Sequence, residues 1–218
     1  MGSANEPVSE RKALLAALKL RRTGRSPDLL VGADGGVDAW RKCGLTPDLA
    51  VGDWDSLARR EVLDTIPHVT LSVDKNRSDL YHACREALKR GADELVCLGV
   101  TGGRPDQEMA TLLELSSLSG SRLKFRSVRA VDHRAEYFFL STERPHWTGS
   151  LALGQWVSVF SMAGVAQGVT LKGFKYPLQN ARLMSSSRGL SNRASKRRVE
   201  VSLRKGRLLV IVLRGNGR

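Results

Sequence analysis

The chain has 218 residues, of which 41% are apolar, and this length and composition fit one large globular domain or two modest ones. No apolar stretch approaches the roughly 20 residues needed to cross a bilayer, and the first residues lack the order of a secretory signal. We therefore expect a cytoplasmic protein without membrane contact, and three cysteines with no CxxC pair indicate neither a disulfide framework nor a zinc site.

The formal net charge of +13 suggests nucleic acid as a partner, because clustered Lys and Arg neutralise phosphates. The basic residues are concentrated in two stretches, 11–25 and 182–218, whereas residues 28–106 are rich in acids. No recognition-helix, zinc-finger or RNP-type pattern accompanies them. The sequence therefore disfavours nucleic acid and fits an anionic ligand or a solvated surface.

The first elements in chain order predict an α/β domain. Residues 1–27 form a segment with a weak helical pattern over 13–20, to which we assign no function. From Leu29 to about Gly120, short apolar runs alternate with helical patterns, which is typical of a parallel sheet. The four runs are Leu29–Val31, Leu49–Val51, Val69–Val73 and Leu95–Leu98. We predict a Rossmann-like α/β domain over residues 28–130.

Two helices are predicted within that domain. The first covers about 79–90, with apolar residues at helical spacing, Ser78 as N-cap and Gly91 as the stop. The second runs from Pro105 to about Ser119, because proline suits the first turn of a helix and Gly120 follows its end.

Strand-like runs without helical periodicity follow after about Val128. They cover 136–140, 156–162, 169–174, 199–203 and 208–213, and they are separated by Gly, Ser and Pro. Residues 204–207, Arg-Lys-Gly-Arg, predict a hairpin turn between the last two runs. We therefore predict a C-terminal all-β sandwich domain over residues 131–218, with the boundary near 125–135.

Each of the four apolar runs of the α/β domain leads into a polar loop. The loops are 32–36, 52–56, 74–79 and 99–106, and most of them are acidic. Ligands bind at the carboxyl ends of parallel strands, because the loops converge there. Each of these loops alone is weak evidence, because Asp-Gly-Gly is more often a plain turn and the others can be a helix cap or a surface ion pair. Four such loops in succession predict one site.

The residue types in these loops suit a magnesium-dependent phosphoryl transfer. Asp53 and Asp55 can point to one side of an extended loop, and Asp34 and Asp79 can approach from neighbouring strand ends. Glycines let the backbone approach phosphates, while Lys75 and basic residues such as Arg77 and Arg104 can neutralise the charge of a transferred group.

These motifs closely resemble those of the thiamine pyrophosphokinase (thiamin diphosphokinase) family, over about residues 28–213. The residues that carry the resemblance are Ala33-Asp34-Gly35-Gly36, Pro47-Asp48 with Gly52-Asp53-Trp54-Asp55-Ser56, Lys75 with Ser78-Asp79, Gly102-Gly103-Arg104-Pro105-Asp106, Gly173-Phe174-Lys175-Tyr176-Pro177-Leu178 and Gly189-Leu190-Ser191-Asn192. The closing stretch 199–213 resembles the last hairpin of that family.

The resemblance implies a homodimer with active sites at the subunit interface, and transfer of a pyrophosphoryl group from ATP to thiamine to give thiamine diphosphate and AMP. It assigns magnesium to Asp53, Asp55 and Asp79, with Asp34 beside them, and catalytic phosphate contacts to Lys75 and Arg104. It places Gly35, Gly36, Ser56, Ser78, Gly103 and Asp106 around ATP, and Tyr176, Ser191 and Asn192 around thiamine, with Tyr176 stacked on a cationic ring.

The sequence also leaves two other hypotheses open. The same phosphate machinery could serve another hydroxymethyl heterocycle, such as a pterin. Alternatively, the chain could be a non-catalytic relative that binds nucleotide or nucleic acid, because Asn76 and Gln107 stand where the family often has Asp and His.

Overall fold

A computed structural model describes residues 29–120 and 125–215, so the predicted segment 1–27 and its helical pattern lie outside the described residues. In those two ranges, no helix has both the length and the apolar character to cross a membrane. The chain forms two compact units that divide between Asp93 and Glu94.

The N-terminal unit contains a three-stranded parallel sheet in the order β1-β2-β3. Its elements are β1 (Val31–Ala33), α1 (Gly36–Lys42), β2 (Leu49–Gly52), a 3-10 helix (Arg60–Thr65), β3 (His68–Thr70) and α2 (Asp79–Lys89). Ala33 of β1 pairs with Val51 of β2, and Gly52 of β2 pairs with Thr70 of β3, so the carboxyl ends of the three strands lie side by side. Because the strands are parallel, the loops that follow them leave from one edge.

Helix α2 confirms the predicted capping. Ser78 has an extended backbone, and its Oγ accepts a hydrogen bond from the Tyr81 amide at 3.2 Å. The buried face of the helix carries Ala83, Cys84 and Ala87, as its apolar spacing requires. The cap and this face fix where the first turn of α2, and with it Asp79, lies.

The C-terminal unit is a sandwich of two sheets that share one apolar core. The elements of the unit are β4 (Glu94–Leu98), α3 (Pro105–Ser119), β5 (Ser127–Val131), β6 (Ala135–Ser141), β7 (His146–Ser150), β8 (Trp156–Ser161), β9 (Ala166–Lys172), β10 (Leu178–Leu183), a 3-10 helix (Ser187–Gly189), β11 (Asn192–Arg193), β12 (Arg198–Ser202) and β13 (Arg207–Leu213). The six-stranded sheet has the order β11-β8-β13-β6-β5-β4, and the four-stranded sheet has the order β10-β9-β12-β7. Valines of β8, β9 and β12 meet in the shared core, where Val157, Val169 and Val199 are fully buried.

The fold is therefore an α/β N-terminal part followed by a C-terminal β domain. Helix α3 begins and ends at the predicted residues, with Pro105 in its first turn and Gly120 at its C-cap. The carbonyl of Ser119 accepts hydrogen bonds from Ser141 Oγ at 2.8 Å and from Arg144 Nη1 at 2.6 Å, which satisfies one of the last carbonyls of the helix.

Two of our sequence-based expectations are wrong. Residues 204–207 do not form a hairpin, because β12 pairs with β7 and β9 in one sheet while β13 pairs with β6 and β8 in the other. The four apolar runs do not form one sheet either, because β4 forms a parallel ladder with β5 in the six-stranded sheet. The compact units divide between Asp93 and Glu94, and the domain boundary near 130 stays a prediction.

Candidate active site

Three carboxylates meet at the strand ends of the N-terminal unit. Asp34 follows β1, while Asp53 and Asp55 follow β2, and each can offer an oxygen that lies within 4.8 Å of the others. The parallel register of β1 and β2 causes this approach, because it aligns the two loops. The Asp34 amide donates to the Val51 carbonyl at 2.9 Å, which ties the first loop to the second strand.

The backbone of this acidic cluster is strained at two non-glycine residues. Asp34 has a φ of 43° and Trp54 a φ of 67°, both in the left-handed region. Trp54 is held there because its ring is buried, its Nε1 donates to Thr70 Oγ1 at 3.0 Å, and its carbonyl accepts from Arg60 at 3.2 Å. Because Asp53 and Asp55 are the chain neighbours of Trp54, anchoring Trp54 also limits where their backbones can lie.

Ser56 connects the two loops. Its hydroxyl donates to Asp34 Oδ2 and accepts a hydrogen bond from the Gly35 amide at 3.2 Å. A Cβ on Gly35 would come within 2.8 Å of Ser56 Oγ, so this contact requires glycine. One face of the Asp34 carboxylate is thereby fixed by the Ser56 side chain.

Lys75 brings the third loop into the cluster. Its ammonium group forms ion pairs with Asp53 Oδ2 and, at 3.2 Å, with Asp79 Oδ1. Lys75 and Asp53 are both largely shielded from solvent, with 14% and 7% of their side chains exposed. The structure therefore brings together the predicted residues Asp34, Asp53, Asp55, Lys75 and Asp79.

The pKa values in the cluster diverge. The hydrogen bond from Lys75 lowers the pKa of Asp53, whereas repulsion from Asp53 and then from Asp34 raises the pKa of Asp55. Burial raises the pKa of Asp79 despite the nearby lysine. Burial opposes ionisation of Lys75, but its hydrogen bonds to Asp53 and Asp79 raise its pKa. Lys75 therefore stays positively charged, whereas Asp55 forms no ion pair with any residue of the ranges 29–120 and 125–215.

These residues fit a hard divalent cation. Asp34 Oδ1 is buried and has no hydrogen-bond partner among the residues that the structure describes, which is a costly arrangement for a carboxylate oxygen. Magnesium prefers carboxylate oxygens and keeps its other positions for water and phosphate. A cation among Asp34, Asp53 and Asp55 would give the orphaned oxygen a ligand and offset the repulsion felt by Asp55.

The fourth loop, residues 99–106, lies in the C-terminal unit. Arg104 and Asp106 form a bidentate pair, with Nε to Oδ1 at 3.1 Å and Nη2 to Oδ2 at 2.5 Å. This hydrogen bonding lowers the pKa of Asp106 to about 2, although both side chains are well exposed. Apart from its chain neighbours, no described residue has an atom within 4 Å of the position that a Cβ would take on Gly103, so there is open space on this side of the glycine.

The predicted thiamine-binding residues lie near one another in the C-terminal unit, but with different roles. The side chain of Tyr176 is 59% exposed, and Lys175 Nζ lies 5.3 Å from the centre of its ring. Ser191 is exposed with a φ of 58°, and its amide donates to Ser158 Oγ at 3.1 Å. Asn192 is buried instead, so it does not present its amide group to solvent.

The Asn192 side chain holds the backbone of Tyr176. Its Oδ1 accepts from the Tyr176 amide at 3.0 Å, and its Nδ2 donates to the Tyr176 carbonyl at 2.8 Å. The same Oδ1 accepts from the Arg193 amide at 2.8 Å. Asn192 thus places Tyr176 through its backbone.

Two family models match this chain. "Thiamin pyrophosphokinase, catalytic domain" matches residues 20–126, and "Thiamin pyrophosphokinase, vitamin B1 binding domain" matches residues 145–208. The chain belongs to the thiamin pyrophosphokinase family. The first matched range contains the acidic cluster and the 99–106 loop, and the second contains Tyr176 and Asn192.

Named relatives agree with the thiamin pyrophosphokinase assignment. The chain is 28% identical over 193 residues to the thiamine pyrophosphokinase of Bacillus subtilis, covering 84% of this chain and 86% of that protein. The Bacillus subtilis crystal structure has a TM-score of 0.72 at 26% identity, covering 88% of this chain and 91% of that one. The Geobacillus thermodenitrificans thiamin pyrophosphokinase has a TM-score of 0.72 at 25% identity, covering 90% and 91%. The Candida albicans enzyme shares the fold at 15% identity, with a TM-score of 0.70 and coverage of 86% and 83%.

Sequence reasoning missed one buried acid in this family member. Asp132 follows β5 and is 7% exposed, and it accepts hydrogen bonds from Thr101 Oγ1, Tyr137 OH and two backbone amides. Glu108, also missed, accepts from the Gly102 amide at 3.0 Å. Neither residue stands in a motif, so only its contacts reveal it.

Proposed function

We propose that this member of the thiamin pyrophosphokinase family transfers the pyrophosphoryl group of ATP to thiamine, giving thiamine diphosphate and AMP, at a magnesium site formed by Asp34, Asp53 and Asp55. The observation that carries the assignment of the metal is the buried Asp34 Oδ1, which has no hydrogen-bond partner within 29–120 and 125–215 and lies beside two further carboxylates. The matched catalytic and vitamin B1 binding models support thiamine as the acceptor rather than a pterin.

Magnesium supplies charge neutralisation and polarisation of phosphoryl oxygens when it is bound. The chain supplies the position of the reacting groups. Asp34 is held by Ser56, and Asp53 is held by Lys75, so two of the three metal-binding carboxylates have fixed orientations. Asp79 shares the Lys75 ammonium and would lie next to the same phosphates.

Lys75 would donate a hydrogen bond to a phosphate oxygen. Its raised pKa keeps the ammonium protonated throughout the neutral range. Because Asp53 and Asp79 already hold it in place, little side-chain entropy is lost when ATP binds. Its charge would then offset the negative charge on the transferred group.

The 99–106 loop would receive the ATP phosphates in the C-terminal unit. Gly103 leaves room for a phosphate oxygen to approach the backbone, and the exposed Arg104 can exchange Asp106 for a phosphate with the same bidentate geometry. Asp106 would then hold Arg104 in place before ATP arrives.

Tyr176 would bind thiamine through its exposed ring. A cation close to an aromatic face gains electrostatic stabilisation, and thiamine carries such a charge on its thiazolium ring. Lys175 already lies near this ring, so thiamine would compete with an ammonium group for the same face. Ser191 would contact the same substrate from the neighbouring loop.

We also propose that the N-terminal α/β part is Rossmann-like and that the chain acts as a homodimer with active sites at the subunit interface. The support for the dimer is the family resemblance, and light scattering of the purified protein would test it. A mass equal to one chain at assay concentration would refute the dimer.

The direct test incubates the protein with ATP, magnesium and thiamine and measures AMP together with thiamine diphosphate. We expect equal amounts of the two products, loss of both on chelation, and recovery when magnesium is restored. Asp53→Asn should abolish turnover with the fold intact. The matched control is Asp64→Asn, because Asp64 is an exposed acid in the 3-10 helix that leads to β3. Equal activity in the two variants would remove Asp53 from the site.

A further inference from the structure

Asp132 is a buried carboxylate whose two oxygens face different parts of the C-terminal unit. Oδ1 accepts hydrogen bonds from the amides of Arg134 and Ala135, both at 2.7 Å. These bonds shape the turn between β5 and β6, as an aspartate does in many turns. Oδ2 accepts from Thr101 Oγ1 at 2.6 Å and from Tyr137 OH at 3.2 Å. Only Oδ2 therefore reaches out of its own turn to the 99–106 loop.

The contact with Thr101 depends on the parallel pairing of β4 and β5. Leu98 of β4 pairs with Val131 of β5, so Thr101 and Asp132 leave the sheet at the same edge although 31 positions separate them. Thr101 immediately precedes the glycine pair that leads to Arg104. A hydrogen bond at Thr101 therefore limits the positions that the glycines and Arg104 can take.

Two further contacts support the same loop. The Gly102 amide donates to Glu108 Oε2 at 3.0 Å, and Gly102 has a φ of 87° that an L-residue rarely adopts. Arg134 Nη2 lies 3.6 Å from Asp132 Oδ2 and 3.5 Å from the position of a Cβ on Gly102. The loop is thus fixed at two successive residues, directly before Gly103.

Asp132 remains ionised in this setting. Burial opposes the charge, but hydrogen bonds from Thr101 and from the Ala135 and Arg134 amides lower its pKa. A charged acceptor strengthens the hydrogen bond that it receives from the Thr101 hydroxyl.

We propose that Asp132 is a positioning residue for pyrophosphoryl transfer, which fixes the 99–106 loop through Thr101 so that Gly103 and Arg104 meet the phosphates of ATP. The inference rests on the proposed function, because that function assigns the loop to ATP. Asp132 itself contacts no substrate in this proposal.

The test separates the two side-chain hydrogen bonds that Asp132 Oδ2 accepts, one from Thr101 in the loop and one from Tyr137. Thr101→Val removes the loop contact at nearly constant volume, and Thr101→Ser keeps the hydroxyl. Tyr137→Phe is the matched control, because it removes a hydrogen bond that the same oxygen accepts from a residue of β6 instead of from the loop. We expect Thr101→Val to raise the KM for ATP about tenfold, since a hydrogen bond to a charged group is worth about that factor. The KM for thiamine should stay within about twofold of wild type, and Thr101→Ser and Tyr137→Phe should keep the wild-type KM for ATP.

A second measurement does not need turnover. Amide hydrogen exchange across 99–106 should be faster in Thr101→Val than in Tyr137→Phe, when both are compared with wild type. The proposal is overturned if Thr101→Val leaves exchange in the loop unchanged, or if Tyr137→Phe raises the KM for ATP as much as Thr101→Val does. If the wild-type protein makes no thiamine diphosphate but exchange in the loop still responds to Thr101→Val, the proposed function fails and the positioning by Asp132 stands.

Discussion

Gly52→Ala should displace Asp34 without changing any carboxylate. Gly52 ends β2, and a Cβ there would lie 3.0 Å from both Cα and Cβ of Asp34 and 3.2 Å from its nitrogen. Asp34 must then move by a few tenths of an ångström, although its left-handed φ and its hydrogen bond to Val51 restrict it. Overpacking of this kind costs about 1–3 kcal/mol of stability. A misplacement of 1 Å can cost about 100-fold in rate, so we expect about a tenfold fall in kcat.

The assay measures kcat at saturating ATP and thiamine over a magnesium titration, together with the melting temperature. The control is Gly149→Ala, whose Cβ would come within 2.5 Å of the Trp147 ring on β7. It overcrowds a side chain in the C-terminal unit, so it should lower the melting temperature and leave kcat unchanged. A wild-type kcat and magnesium dependence in Gly52→Ala, or an equal loss of activity in Gly149→Ala, would contradict a specific displacement of Asp34.

Three further predictions concern side chains of the proposed site. Asp55→Asn should abolish turnover, yet without magnesium it should melt higher than wild type at neutral pH. Because repulsion from Asp53 and Asp34 raises the pKa of Asp55, this repulsion disappears when the pH falls and Asp55 becomes protonated. The difference in melting temperature between Asp55→Asn and wild type should therefore vanish at acidic pH. A difference that stays constant with pH would contradict the repulsion. Tyr176→Ala should weaken thiamine binding more than ATP binding in calorimetry, whereas equal losses would argue against stacking. Asn192→Ala should raise the KM for thiamine and cost about 1–3 kcal/mol in denaturant unfolding, because it leaves the Tyr176 backbone unpaired; an unchanged KM would separate Asn192 from the thiamine site.

The ends of the two longer helices could be predicted from the sequence, because the capping residues that set them are neighbours in the chain. Ser78 and Pro105 marked the starts of α2 and α3, and Gly120 marked the end of α3, because capping depends on residues within one turn. The short helix α1, which begins with Gly36, was not predicted, since seven residues give too little periodicity. Alternation of apolar residues found most strands of the C-terminal unit.

Strand pairing could not be read in the same way. The run 199–213 has the alternation and the Lys205-Gly206 turn of a hairpin, yet its halves pair in different sheets of the sandwich. The run at 95–98 looked like a fourth strand of the first sheet, but it pairs with β5. Both errors have one cause, because partners are chosen by contacts that are distant in sequence, and a local pattern carries no information about them.

The candidate site shows the same division between local and distant information. The acids of the cluster stood in motifs after apolar runs and could be predicted from their positions. The roles of Asn192 and Asp132 could not, because each depends on the distance to a residue at least 16 positions away. Motif residues such as Asn192 are thus visible in the sequence, but the role of a residue that orients another one requires the fold.

The acidic cluster is unfavourable for the chain by itself. Asp34 and Trp54 keep left-handed backbones, and repulsion from two neighbouring carboxylates raises the pKa of Asp55. Asp34 Oδ1 is buried and accepts no hydrogen bond from the described part of the chain. Lys75 offsets the negative charges of Asp53 and Asp79 by ion pairs, and it forms no ion pair with Asp34 or Asp55 within the described ranges. Strain, an orphaned acceptor and like charges at one strand edge are costs that packing does not require. A cation that binds Asp34 and Asp55 would give the orphaned oxygen a ligand and offset the repulsion between the carboxylates. Asp55→Asn should therefore melt higher than wild type without magnesium and lower than wild type when magnesium is added.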